Sequence, residues 1–146
     1  MATMAALLKR KPAALISVPP DAKIREVVLV LAEKRIGAVV VQSTNNDLLG
    51  MLSERDVVRS LASNGFATME MLASQLMTRA PTTANPTTTI FEAETLMTDG
   101  RFRHLPIVDG GKLIGVVSIG DVVKGLMDEQ AHEVRSLRDY VTGGTA

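Results

Sequence analysis

The 146-residue sequence contains no cysteine and no tryptophan, and only 3% of its residues are aromatic. Without cysteine the chain forms no disulfide, has no thiolate nucleophile and offers no sulfur ligand to a metal. Its 16 basic and 16 acidic residues cancel. This balance argues against a nucleic-acid partner, because such binding depends on neutralising phosphates with Lys and Arg. The few aromatics also argue against stacking on single-stranded bases.

The sequence has no long hydrophobic run either. Its longest unbroken aliphatic stretch, 27–32, is too short to span a bilayer, so no membrane partner is expected. At the N-terminus, MATMAALLKRKP has apolar residues ahead of basic ones, the reverse of a secretory signal, which favours a cytoplasmic protein. His132-Glu133 resembles the start of a zinc-binding helix motif, but Ser136 stands where the second His would be needed, so no metal site is expected.

What the sequence does contain is an internal repeat. The stretch LLGMLSERDVVRSL at 48–61 returns as LIGVVSIGDVVKGL at 113–126, with seven of the fourteen positions identical. Upstream, PDAKIREV at 20–27 corresponds to PTTTIFEA at 86–93. The offset is 66 there and 65 from Gly50 to Gly115, so one residue is missing between these points. A hairpin turn is the natural place for this, since turns tolerate length changes at little cost.

Each repeat predicts the order strand, helix, strand, strand, helix. Short extended pieces at 14–18 and 82–84 lead into helices, for which Asp21 is the expected N-cap in the first repeat. Thr89 and Glu92 form a capping box in the second. β-Branched runs at 36–41 and 102–108 predict strands, each followed by a turn and a second strand ending at Leu52 or Val117. The second helices begin at Ser53 and Ser118.

The predicted organisation has five parts. They are an N-terminal helix and arm (1–12), a first repeat (13–66), a helical connector (67–79, helical over 68–77), a second repeat (80–127) and a C-terminal helix and tail (128–146). The C-terminal helix is expected to reach about Tyr140 before Gly143-Gly144 stops it, with an apolar stripe suited to packing or dimer contact. A repeat of about sixty residues buries too little surface to be stable alone, so the two are expected to pack together.

Both copies contain the pattern Gly-x-x-Ser-x-x-Asp where a strand hands over to a helix. With Ser53 as N-cap, Asp56 lies in the first helical turn, where unpaired N–H groups and the helix dipole attract phosphate. A carboxylate can also accept hydrogen bonds from the vicinal diol of a ribose. The same residue types at Ser118 and Asp121 form a plain capping box equally well, and the pattern alone does not choose between these interpretations.

Arg55 occurs in the first copy alone, since Ile119-Gly120 replaces Glu54-Arg55 in the second. A cation in the first turn of a helix is disfavoured by the helix dipole. Phosphate binding by the guanidinium would explain why Arg55 stands at this position. A solvated side chain is the alternative. Arg101, Arg103 and His104 are candidates for the charge that the second copy lacks, with a solvated strand edge as the alternative.

These features together resemble a tandem pair of CBS domains, also called a Bateman module, of the stand-alone bacterial type. The segments that carry the resemblance are SERDVV, QLMT and RHLPIVDGGKLIGVVSIGDVV, and the resemblance covers about 13–127. It implies an α/β (α+β) fold of two β-α-β-β-α units packed through their sheets with pseudo-twofold symmetry. It also implies a homodimer formed through helices, the arrangement common in the family.

The resemblance further implies a non-catalytic regulatory module that binds an adenine nucleotide in clefts between the units. The family's ligands are AMP, ADP, ATP, NAD(H) or S-adenosylmethionine, held as regulatory ligands and not as catalytic cofactors. Carried over, Asp56 and Asp121 hold ribose hydroxyls, Ser53 and Ser118 face ribose or phosphate, and Arg55 neutralises phosphate. The remaining implied contacts line the adenine pockets or close them through backbone groups: Val18, Ile36, Gly37, Ala38, Thr83, Arg103, His104, Leu105 and Pro106.

Two other classes of function stand beside this hypothesis. The first is a protein-interaction or dimerisation module whose ligand sites are vestigial and whose unknown regulated partner binds elsewhere. The second is an enzyme, against which the sequence argues because it has no dinucleotide fingerprint, no Walker loop and no assembled nucleophile with base.

Overall fold

The computed structural model describes residues 2–10 and 15–141. Within them the chain alternates helices with short strands, as expected for an α/β fold. The helices are α1 (Met4–Arg10), α2 (Ile24–Lys34), α3 (Glu54–Asn64), α4 (Ala73–Leu76), α5 (Ile90–Gly100) and α6 (Ile119–Val141), with a 3-10 helix at Gly65–Glu70. The strands are β1 (Ser17–Val18), β2 (Ala38–Gln42), β3 (Leu48–Ser53), β4 (Thr78–Arg79), β5 (His104–Asp109) and β6 (Lys112–Ser118).

The chain divides into two compact units, each with its own hydrophobic core. The first-repeat unit contains 15–83 and 108–114, and the second-repeat unit contains 2–10, 84–107 and 115–141. In the first-repeat unit the core includes Ile24, Val27 and Leu31 of α2, which are spaced by three and four residues and so lie on one face of the helix. The second-repeat core is built around the equivalent face of α5 together with α1 and the start of α6.

The sheet of the first-repeat unit has the order β1-β2-β3-β4. β1 runs parallel to β2, whereas β2 with β3 and β3 with β4 are antiparallel. Val39, Val40 and Val41 are consecutive buried residues of β2. Three buried residues in a row mean that β2 is buried on both faces, which is consistent with its continuous apolar run.

The second repeat reproduces this pairing in a shorter form. Val18 pairs with Val41 in the first repeat, and Ala84 forms a parallel bridge with Ile107 in the second, so both partners shift by 66 residues. β5 and β6 form the hairpin, whose turn residues Gly110 and Gly111 have φ values of 56° and 81°. This left-handed backbone suits a tight hairpin turn and favours glycine, which confirms the predicted turn.

The N-terminal segment and the connector occupy equivalent positions in the two units. Lys23, just before α2, forms an antiparallel bridge with Leu72, and Thr89, just before α5, forms the same bridge with Thr3. Thr89 follows Lys23 by 66 residues, whereas Thr3 precedes Leu72 by 69 residues. α1 therefore occupies the position in the second-repeat unit that α4 occupies in the first-repeat unit. Met4 of α1 is completely buried.

Two local predictions are wrong. The N-cap of α2 is Lys23, without a side-chain cap, and not Asp21; here the backbone of the connector satisfies the helix start, since the Ile24 N–H donates to the Met71 carbonyl at 2.8 Å. The connector is also not one helix over 68–77. Met71 and Leu72 are extended because they pair with the chain before α2, which separates the 3-10 helix from α4.

The other predicted helix starts are observed where the described residues include them. Thr89 caps α5 in a reciprocal capping box with Glu92, and Ser53 caps α3. α6 continues to Val141; Gly143-Gly144, expected to end it, and Ala14 lie outside the described residues. None of the described helices is both long enough and apolar enough to cross a membrane.

Candidate functional site

The junction between β3 and α3 is held by a reciprocal set of hydrogen bonds. The Ser53 N–H and its hydroxyl donate to Asp56 Oδ2 at 2.8 and 3.0 Å, and the Asp56 N–H donates to Ser53 Oγ at 3.3 Å. Both side chains are half-buried. Within the described residues, the second carboxylate oxygen of Asp56, Oδ1, accepts no hydrogen bond. One oxygen of this carboxylate therefore holds the helix start while the other is available to a ligand.

The junction between β6 and α6 has the same two hydrogen bonds between backbone N–H groups and side chains. The Ser118 N–H donates to Asp121 Oδ2 at 2.9 Å, and the Asp121 N–H donates to Ser118 Oγ at 3.1 Å. The capping box that the sequence offered as an alternative is thus formed in both repeats. The capping box does not exclude a ligand, but it gives each aspartate a structural role that does not depend on a ligand.

A backbone contact joins each junction to the residue just before β2 in the first repeat and just before β5 in the second. The Glu54 N–H donates to the Gly37 carbonyl at 2.9 Å, and the Ile119 N–H donates to the Arg103 carbonyl at 2.8 Å. In the first repeat Ala38 also pairs directly with Ser53 across β2 and β3. The candidate adenine-lining segments 36–38 and 103–106 therefore begin next to their own serine and aspartate.

These contacts use most of the N–H groups that the helix starts would offer to an anion. Of the first four N–H groups at α3, counted from the N-cap, those of Ser53, Glu54 and Asp56 donate within the chain, and Arg55 supplies the fourth. The same holds at α6, where Gly120 takes the place of Arg55. Phosphate binding at these helix starts would depend mainly on the hydroxyl and on added cations, and less on backbone amides than the motif predicts.

Charged candidates differ in where they lie. Arg55 is exposed on the first turn of α3 and forms no ion pair with the other described residues. In the second-repeat unit Arg103 is exposed and His104 is half-buried. Arg101 is the C-cap of α5 with φ 56°, which places it at a helix end and not on the edge of a strand. Arg103 and His104 are the candidates beside the Ser118 junction.

The remaining candidate residues are buried, or they lie next to a residue that is held by a backbone hydrogen bond. Leu105 and Pro106 are buried in β5. Val18 is only 6% exposed and belongs to the core, so a ligand could reach its backbone more readily than its side chain. Thr83 is exposed and precedes Ala84, whose N–H donates to the Pro106 carbonyl at 3.0 Å.

The two repeated glycines make room for the chain itself. A Cβ at Gly50 would lie 2.6 Å from the Thr78 carbonyl oxygen, and one at Gly115 would lie 2.6 Å from Leu8 Cδ2. The groups that approach these glycines closely are therefore β4 at Gly50 and α1 at Gly115. Sequence reasoning missed these partners, as it missed the carbonyls of Gly37 and Arg103, because none of these contacts leaves a local pattern.

Comparison with known proteins identifies the repeat. Two segments, 9–63 and 73–128, match the CBS domain family. The chain belongs to the CBS domain family. Its two CBS domains confirm the sequence resemblance and the α/β fold class; the domain boundaries 13–66 and 80–127 stay a prediction.

Solved structures of CBS proteins are similar to this chain over most of its length. A CBS-domain protein from Agrobacterium tumefaciens is 40% identical, with a TM-score of 0.81, covering 85% of this chain and 93% of the other. A CBS domain protein from Pyrobaculum aerophilum, solved in complex with AMP, is 30% identical with a TM-score of 0.73, covering 82% and 88%.

A curated relative is the CBS domain-containing protein CBSX3, mitochondrial, of Arabidopsis thaliana, 33% identical over 128 residues. The match covers 85% of this chain but 62% of that relative, so the chain spans less than two thirds of its length. No group of three or more His, Asp or Glu side chains in residues 2–10 and 15–141 could hold a metal ion.

Proposed function

We propose that this CBS domain protein is a non-catalytic sensor of an adenine nucleotide, which it binds at its two strand-to-helix junctions. The observation that carries the proposal is the half-buried Ser53–Asp56 junction, which has a carboxylate oxygen left for a ligand. A relative 30% identical to this chain was solved with AMP bound, which supports the class of ligand. AMP, ATP, NAD(H) and S-adenosylmethionine are the candidates.

Each part of a nucleotide has a proposed contact. Asp56 and Asp121 accept hydrogen bonds from ribose hydroxyls, and Ser53 and Ser118 contact ribose or phosphate. Arg55 binds phosphate. Adenine lies against segments 36–38 and 103–106, with the backbone near Val18 and Thr83 closing over it.

The two junctions are proposed to differ in their preference for phosphate. Arg55 places a guanidinium on the first turn of α3, whereas Gly120 places none at α6. Guanidinium binds phosphate through two parallel hydrogen bonds. The first junction should therefore favour nucleotides over adenosine more strongly than the second does.

Isothermal titration calorimetry with AMP, ATP, NADH and S-adenosylmethionine tests the proposal. We expect measurable binding of at least one of them. Arg55→Ala should weaken nucleotide binding by roughly 10-fold, corresponding to about 1.5 kcal/mol for a charged hydrogen bond. It should leave the binding of adenosine unaffected. Arg59→Ala, an exposed arginine on the same helix, is the matched control. Absence of heat with every ligand would contradict the proposal.

A protein-interaction module with vestigial sites is the second candidate, and one observation favours it. Both junctions are complete capping boxes, so Ser and Asp have a reason to be there without any ligand. Under this alternative a partner protein would bind equally well with and without nucleotide. Under the sensor proposal the nucleotide must favour one state of the protein, since a ligand shifts an equilibrium only through its differential affinity.

The proposal also covers the oligomeric state, the protein partner and the expected lack of catalysis. We expect a homodimer that acts on a regulated protein partner and that turns over none of its ligands. Incubating pure protein with each nucleotide and following product by chromatography tests the last point, and measurable turnover would contradict it. A cytoplasmic location stays a prediction.

A further inference from the structure

The last helix extends well beyond the body that it packs on. Val122 and Gly125 are buried against the second-repeat core, and Asp128 pairs with Arg10 at 3.4 Å. From residue 130 to 141 every position of α6 is exposed. Twelve helical residues span about 18 Å, and an isolated helix of this length is marginal in water. This part of α6 needs a partner that covers it.

An apolar stripe runs along the exposed side of α6. Its positions alternate by four and three residues, and they are Val123, Met127, Gln130, Val134, Leu137 and Val141. The five hydrophobic members are 47, 63, 48, 64 and 79% exposed, in that order. This spacing is the heptad pattern of a coiled coil, and it lies beside the face that packs on the second-repeat core.

We propose that this stripe pairs with the same stripe of a second copy, as a parallel coiled coil in register. Gln130 is the one polar member of the stripe, and in this arrangement it meets the partner's Gln130. Two side-chain amides can then donate to and accept from each other. In the antiparallel arrangement with the same overlap, Gln130 would meet the partner's Val134, and its buried amide would lose its hydrogen bonds, which is unfavourable.

Flanking charges favour the same arrangement. Glu133 precedes Val134 and Arg138 follows Leu137. In a parallel pair, Glu133 lies next to the partner's Arg138, twice by symmetry, and such flanking pairs set the orientation of coiled coils. In the antiparallel pair Glu133 would lie beside the partner's Glu133, and Arg138 beside the partner's Lys124. Unlike charges thus meet in one orientation and like charges in the other.

The proposal does not rest on nucleotide binding. The fully exposed part of α6, 130–141, begins nine residues after Asp121, and the pairing is proposed whether or not the junctions bind a ligand.

The absence of cysteine allows a direct test in the full-length protein. Leu137→Cys and Val134→Cys each place one thiol on the stripe, and Ser136→Cys places one on the exposed opposite side as a control. Disulfides require Cβ atoms about 3.5–4.5 Å apart, so crosslinking is favoured at positions that face each other across the helix pair. Under mild oxidation, non-reducing electrophoresis should show a covalent dimer forming several-fold faster for both stripe variants than for the control.

Other outcomes would overturn the proposal. Equal rates for Leu137→Cys and Ser136→Cys would mean that no second copy covers the stripe, which leaves it to a different protein. Fast crosslinking only when Met127→Cys and Leu137→Cys are combined would indicate the antiparallel pair. In the Leu137→Cys background, Glu133→Arg should slow crosslinking several-fold and added Arg138→Glu should restore it; failure to restore it would refute the assigned orientation.

Discussion

A methyl group added at Gly50 should destabilise this protein more than the same methyl group at Gly115. The two glycines are equivalent in the repeat, but what lies over them differs. At Gly50 the new Cβ would be 2.6 Å from the Thr78 carbonyl oxygen and 2.7 Å from Met77 Sδ. At Gly115 the closest atoms are the Leu8 side-chain carbons, the nearest at 2.6 Å.

The magnitude follows from what can move. Ordinary contacts begin at 3.4 Å, so β4 must withdraw by about 0.8 Å at Gly50, although β4 is paired with β3 through this residue. Overpacking of this kind costs about 1–3 kcal/mol. Replacing a strand glycine returns about 0.5–1 kcal/mol of backbone entropy. The net loss expected for Gly50→Ala is about 1–2 kcal/mol, and for Gly115→Ala it is below about 1 kcal/mol, because the Leu8 side chain can rotate.

Thermal unfolding followed by circular dichroism measures the difference. For a chain of this size 1 kcal/mol corresponds to roughly 2–4 °C, so Gly50→Ala should lower the midpoint by about 2–8 °C. Gly115→Ala should lower it by less. An unchanged midpoint for Gly50→Ala, or a larger fall for Gly115→Ala, would refute the reasoning from the approach of β4 and α1.

Three further predictions concern the helices. Met4→Ala should cost about 2–5 kcal/mol of unfolding free energy in urea titrations, because Met4 is completely buried; a loss no larger than that of Leu29→Ala, at a 60% exposed position, would show that α1 is not part of the core. Arg35→Gly should stabilise the protein by up to about 1 kcal/mol, because Arg35 has φ 54° at the end of α2; a lower melting temperature would contradict this. Asp56→Ala should lose about 0.5–2 kcal/mol with its capping box, whereas Asp56→Asn keeps an acceptor for the Ser53 N–H and should lose less; equal losses would mean that the hydrogen bond to Ser53 contributes little.

The parts of the fold that could be predicted are those that depend on residues close together in the sequence. The Ser53 helix start, the Thr89 capping box and the Gly110-Gly111 turn each depend on a few neighbouring residues, and each is found where it was expected. The repeat then gave the order of elements in both halves.

What could not be predicted depends on distant partners. Asp21 has the chemistry of an N-cap, yet α2 begins at Ile24, whose N–H donates to the Met71 carbonyl. The docking of α1 on the second repeat likewise depends on Met4 and Leu8 meeting residues more than eighty positions away. No pattern of local spacing records such contacts.

The side-chain geometry of the two junctions could be predicted from the sequence, but their backbone contacts could not. Ser53 and Asp56 lie together, as do Ser118 and Asp121, yet each pair is hydrogen-bonded to itself. The sequence predicts unpaired N–H groups at each helix start, but the carbonyls of Gly37 and Arg103 each accept a hydrogen bond from one of them. In the proposed function, ribose recognition would therefore follow more directly from this geometry than phosphate recognition, which would depend on Arg55.

The central claim is that the Ser–Asp junctions bind the ribose of an adenine nucleotide, and a crystal structure of the protein grown with AMP tests it most directly. The account predicts a ribose hydroxyl within about 3 Å of a carboxylate oxygen of Asp56 or Asp121, with the capping boxes intact. Bound AMP whose ribose contacts neither aspartate, or junctions that stay empty at saturating AMP, would contradict it.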